Sequence, residues 1–152
     1  MQARLIYGHG GERAFALVLD KGDEVVASVE AFAREHQLSA AQFTGLGALS
    51  RVTLGFFERE RKDYRRIEMP EQVEVLVLNG IITLKPGGGH QVHPHIVVGK
   101  SDGSAWGGHL LSGRVWPTLE VIVTEAPAHL RRRHDPETGL TLIDPAASSG
   151  PA

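Results

Sequence analysis

The chain has no cysteine. Disulfides, thiolate metal sites and cysteine nucleophiles are excluded together, which leaves His, Asp and Glu as the side chains able to hold a metal. A reducing cytoplasm suits such a composition. No apolar run approaches the roughly twenty residues that a membrane helix requires, and the opening residues MQARLIYGHGGERAF lack a basic flank followed by an apolar core, so neither membrane insertion nor secretion is expected. A basic excess is missing too: Lys+Arg number 16 against Asp+Glu 18, a formal charge of -2. Domains that live by neutralising phosphates normally carry a basic face, so composition leans against nucleic acid as a partner. Two basic runs, RERKDYRR (59–66) and RRRH (131–134), read as solvated loop or tail. There is no internal repeat, no GxSxG nucleophile elbow and no P-loop lysine motif. The GLG at Gly45 to Gly47 lacks the remaining glycines and the βαβ context of a dinucleotide site.

What is present fits one domain of 1–143, with PAASSGPA at the end of the chain reading as a disordered tail over 144–152. The stretch KGDEVVASVEAFAREHQLS predicts a helix: Asp23 can cap it, and Val25, Val26, Val29, Phe32 and Ala33 recur on one stripe. Elsewhere the pattern is strand after strand. ARLIY and RAFALVLD flank a glycine-rich turn, and AAQFTGLGALSRVTLGFFE reads as strand, glycine turn, strand. DYRRIEM, EQVEVLVLNGIITLK, HPHIVVGK, SAWGGHLLSG and RVWPTLEVIVTEA follow as further strands. Grouped rather than alternating elements predict an α+β fold, a largely antiparallel β-sheet flanked by helices.

Four of the eight histidines lie between His90 and His109. If Ser101, Asp102 and Gly103 form a three-residue hairpin loop with Gly103 left-handed, Lys100 faces Ser104 and His95 falls opposite His109. His93 then points to the same face as His95. Opposed Cβ atoms in an antiparallel pair lie about 5 Å apart and diagonal ones about 7–8 Å, within reach of one ion bonded to three nitrogens at about 2 Å. A two-residue Asp-Gly loop would instead turn His109 to the other face. Three imidazoles without thiolate suit zinc or another borderline divalent ion, and leave a fourth position for water or a small ligand. Pro94 lacks an amide hydrogen, which fits where the ladder is interrupted or at an edge, so the metal is expected near a sheet margin or an interface. His90 is a candidate extra ligand. Glu120, a carboxylate among apolar strand residues, is the weak candidate for a catalytic general base, although placement on a polar face explains it more simply.

The combination of GLGALS from Gly45, EVLVLNGIITL from Glu74, HPH at His93 to His95, DGSAWGGHLLSGRVWPTLEVIV from Asp102 and RRHDPETGL from Arg132 resembles the plants-and-prokaryotes conserved domain, PPC. The resemblance implies a homotrimer built on an antiparallel-rich sheet with flanking helices. It implies that His93, His95 and His109 are a metal-binding set near the subunit boundary. It also carries an association with DNA, since plant members join the domain to AT-hooks and prokaryotic members are commonly called DNA-binding proteins. This chain has no Arg-Gly-Arg-Pro core of an AT-hook.

Three functions follow as expectations. The first is a cytoplasmic, homotrimeric, zinc-binding domain whose site serves a small ligand or structure. The second is a DNA-associated regulator using Arg131 to Arg133 and the 59–66 run. The third is a metal-dependent hydrolase or lyase with Glu120 or another acid as base, for which no established acid/base partner is evident.

Overall fold

The computed structural model describes residues 1–150. Nine strands and one helix follow in order: β1 (Gln2–His9), β2 (Glu12–Leu19), α1 (Val25–Glu35), β3 (Ala41–Glu58), β4 (Asp63–Met69), β5 (Val73–Leu84), β6 (His90–Gly99), β7 (Ala105–Glu125), β8 (Arg132–His134) and β9 (Thr141–Ile143). The expectation of a sheet flanked by helices is corrected: this is a mostly antiparallel sheet with one short helix among the described residues.

The physical reason lies in how the sheet covers itself. Seven strands run in the order β1-β2-β7-β6-β5-β3-β4, and an additional ladder joins β3 to β7. Strands β3, β5, β6 and β7 therefore close a circuit of ladders, so much of the inner face is sealed by the sheet's own curl. Alternation along each strand sends Leu78 and Ile82, Ile96 and Val98, and Leu119, Val121 and Val123 into the core, each at most 2% exposed. Helix α1 adds Val25, Val29, Phe32 and Ala33, with the Phe32 ring edge-on to Phe15 at 5.2 Å.

Two further expectations are revised. Glu24, not Asp23, caps α1: its Oε2 accepts from the Ala27 N–H at 2.7 Å, while Oε1 accepts from the Gly113 N–H at 2.9 Å. Asp23 is engaged one turn earlier, accepting from the Asp20 N–H at 2.9 Å. The glycine turn expected near Gly45 to Gly47 is instead a register shift within one 18-residue strand, β3, far from any strand-to-helix phosphate turn. In the same way the strands expected on either side of Gly113 are one strand, β7, of 21 residues. Residues 144–150, at the expected tail, run back beside 128–131: Ser149 and His129 exchange two backbone hydrogen bonds, at 2.8 and 3.0 Å. Positions 151 and 152 lie outside the described residues.

Candidate metal centre

The turn before β7 has the three-residue form. The Lys100 N–H donates to Ser104 O at 2.9 Å, the Gly103 N–H donates to Lys100 O at 3.0 Å, and Gly103 takes φ 83°, which glycine adopts without strain. The Asp102 carboxylate accepts from the Ser104 N–H and hydroxyl, locking the loop. The register that follows is His95 opposite His109. That is the last pair of the β6–β7 ladder; beyond it β7 runs on against β3 on its other edge, where His109 pairs with Gly55 and Leu110 with Leu54. Pro94 therefore stands where the ladder has ended, and needs no amide hydrogen toward β7.

On the outer face of this fork three imidazoles meet. One ligand atom from each of His93, His95 and His109 lies within 4.8 Å of the others. The ring centroids form a nearly equilateral triangle of 5.1, 5.2 and 5.3 Å. His93 Nε2 and His95 Nε2 are 3.2 Å apart. Around a tetrahedral ion with Zn–N bonds of about 2.0–2.1 Å, neighbouring nitrogens lie about 3.3 Å apart, so this pair already has the required spacing. His109 Nδ1 is buried with no hydrogen-bond partner, a condition that a cation bound at this atom would relieve.

Electrostatics favours the neutral, ligating form. Burial first, then the neighbouring His93 and His95, push the His109 imidazole down from 6.5 to about 4. His93 is lowered from the ordinary imidazole range by burial, then by the Arg132 guanidinium and His95. Neutral imidazole is the form that binds a divalent cation.

Neighbours hold the ring set. Gly55 is the β3 partner of His109, and a Cβ there would lie 2.8 Å from Tyr64 Cδ1, so only glycine leaves room for the tyrosine. Tyr64 consequently stacks on His109 with centroids 4.7 Å apart and planes at 27°. Arg132 is buried at 7% exposure; it donates to Thr83 Oγ1 at 2.7 Å and Thr141 O at 2.6 Å, and its Nη2 reaches 3.5 Å from His93 Nδ1. Neither Tyr64 nor Arg132 was singled out from sequence for this site; the glycine in TLGFFE, opposite a histidine, is the one local signal.

Other candidates fall elsewhere. His90 opens β6 opposite Leu84 and is outside the cluster. Glu120 is on the exposed face of β7, paired with Val18 and Leu46, and β3 and β5 stand between its part of β7 and His95. It lines an apolar cleft with Val18, Leu46, Leu76, Val77 and Ile122. The basic runs are largely occupied: Arg61 and Arg65 pair with Glu58, Arg133 with Asp144, and Arg132 is in the interior.

The model of the Plants and Prokaryotes Conserved (PCC) domain matches residues 8–127. The chain belongs to the PCC family. The PCC chain is similar to a metal-containing protein from Archaeoglobus fulgidus, with 33% identity, TM-score 0.77, and 95% and 99% of the two chains covered. It is also similar to a "putative DNA-binding protein" from Ralstonia eutropha JMP134, with 32% identity, TM-score 0.80, and 86% and 90% covered. Among curated proteins it is 33% identical over 133 residues to the bifunctional protein GlmU of Synechococcus sp. (strain JA-3-3Ab), covering 86% of this chain. The PCC chain spans about a fifth of the length of the curated relatives it matches.

Proposed function

We propose that residues 1–143 form a metal-binding PCC domain in which His93, His95 and His109 hold a divalent ion, zinc by preference, with a fourth position open to water or a small ligand. The observation that carries the reading is the convergence of three imidazoles, two with nitrogens 3.2 Å apart and the third with a buried, partnerless nitrogen. All-nitrogen donors and the absence of cysteine favour zinc or a similarly borderline ion over harder cations. The ion would supply Lewis acidity at its open position. Beside it a groove lined by Gln42, Asn79 and Ile81 offers amides and no charge, suited to a neutral polar ligand.

The domain works in this reading as a cytoplasmic homotrimer. Support comes from the outer strand face, where Val18, Leu46, Leu76, Val77 and Ile122 are each 37–62% exposed, a contiguous apolar surface of the kind that oligomers cover. No described helix is long and apolar enough to cross a membrane. A hydrolase or lyase role ranks lower, because the proposed base, Glu120, belongs to the apolar cleft rather than to the histidines. Association with DNA is the second reading, favoured by the description of the Ralstonia relative; steep salt dependence of retention on nonspecific DNA tests it.

The deciding experiment is metal content per chain of the untagged protein and of His109→Ala, with subunit number from light scattering. Near-stoichiometric metal in the parent, little in the variant and a three-chain mass are expected. Absence of metal from both after incubation with zinc overturns the reading.

A further inference from the structure

Five residues along β7 from His109, the register places Arg114 directly opposite Arg51 of β3, and Ser112 opposite Thr53. Val52 and Gly113 between them are buried, so the two arginines and two hydroxyl residues share the outer face as a two-by-two block. Directly opposed like charges destabilise an antiparallel pair, and Cβ atoms there lie about 5 Å apart. Yet neither guanidinium forms an ion pair among the described residues. Arg114 Nη1 donates to Gly22 O at 2.8 Å, which orients the group without neutralising it. The block lines a cleft of about 330 Å³ together with Glu24 and Glu68. Both Glu24 oxygens are already engaged by the Ala27 and Gly113 N–H groups. Glu68, opposite Thr53 on β4, is 73% exposed, and its ion pair with Arg66 is long, at 4.0 Å.

We propose that this cleft binds a small hydroxylated phosphate monoester. The phosphoryl group bridges Arg51 and Arg114, whose forked N–H donors match its oxygens, and relieves their repulsion. Thr53 and Ser112 supply hydroxyl donors to the same group. Glu68 accepts from a hydroxyl of the organic part, so the site distinguishes an ester from bare phosphate. A carboxylate ligand has two oxygens for these donors and uses the block less completely.

The test is calorimetric titration of the full chain with ribose 5-phosphate, inorganic phosphate and a short DNA duplex, for the parent, Arg51→Gln, Arg114→Gln, the double variant and His109→Ala. Ribose 5-phosphate should bind the parent more tightly than inorganic phosphate does. Each single arginine variant should weaken it by about tenfold, the double variant should abolish binding, and His109→Ala should leave it unchanged. Arg51→Gln should melt no lower than the parent, since it removes a like-charge contact. Lack of saturable ribose 5-phosphate binding up to about 10 mM, or equal binding by the double variant, overturns the proposal. So does a duplex that binds the parent and not the double variant while ribose 5-phosphate fails, which would give the arginines to a nucleic-acid backbone instead.

Discussion

Replacing His109 by phenylalanine separates what the histidine does for a metal from what it does for the fold. The ring stays planar and can keep its stack on Tyr64, now 4.7 Å between centroids, while both nitrogens disappear. In the metal-free parent Nδ1 is buried without a partner, a state that costs on the order of 1–3 kcal/mol, so removing it recovers part of that sum. The larger ring opposes this with an overpacking cost of about 1–3 kcal/mol. The two effects nearly cancel, and the metal-free variant should lie within about 2 kcal/mol of the metal-free parent. With zinc at a hundred times its dissociation constant, ligand linkage adds about 2.7 kcal/mol to the parent only. For a chain of this size that is an upward shift in Tm of about 5–10 °C. Thermal melts of both proteins, chelated and then zinc-loaded, read both numbers. An equal zinc shift in the variant would refute the ligand role. A metal-free variant destabilised by more than about 3 kcal/mol would refute the account of Nδ1 as an orphan and require a partner for it.

The depressed imidazoles give a signed pH dependence. His109 stays neutral in the folded chain down to about 4 but protonates near 6.5 when unfolded, so the unfolded state takes up more protons between those values. Metal-free stability should therefore fall as pH drops from about 6.5 to about 4, by at most about 3 kcal/mol from this group, with His93 acting in the same direction. Urea melts across that window should show the metal-free parent losing stability relative to His109→Phe as the solution is acidified; a pH-independent difference would contradict the assignment. At the other end of the core, Glu24→Ala should cost about 1–3 kcal/mol, since it removes the helix cap and strips the Gly113 N–H of its acceptor. Asp23→Ala should cost less in the same urea assay, because Asp23 caps nothing: it accepts from the Asp20 N–H and pairs with the N-terminal ammonium at 3.0 Å, a surface ion pair of the kind that contributes little.

The histidine pairing was legible because it depended on three adjacent loop residues. Once Asp102 and Gly103 define the turn, every pair out to His95 and His109 follows by counting. The long strands were not legible in the same way. Gly45, Gly47 and Pro117 are punctuation marks by local chemistry, yet β3 and β7 run through them, bending at shifts in register with partners far away in sequence. Helical content was overestimated for a related reason: closing the sheet on itself removes the bare faces that extra helices would cover. The surroundings of the site were hidden because they come from afar. Tyr64 reaches His109 only through the ladder that joins β3 to β7, and Arg132 looked like part of an exposed basic run until the C-terminal segment brought it against Thr83 and His93.

The location of the cluster follows from the change of partners along β7. Up to His109 that strand pairs with β6; from Leu110 it leaves β6, continuing against β3. A ladder end exposes backbone groups and splays side chains, and here it is also where Pro94 removes a donor that would have needed satisfying. His95 and His109 are the last pair before the separation, and His93 is beyond it on β6 alone. A cation held by all three would thus tie β6 to β7 across the point where hydrogen bonding stops. Structural and ligand-binding roles would then be compatible: three histidine donors closing the fork would leave a fourth position for a ligand, and the uncharged groove of Gln42 and Asn79 is beside them.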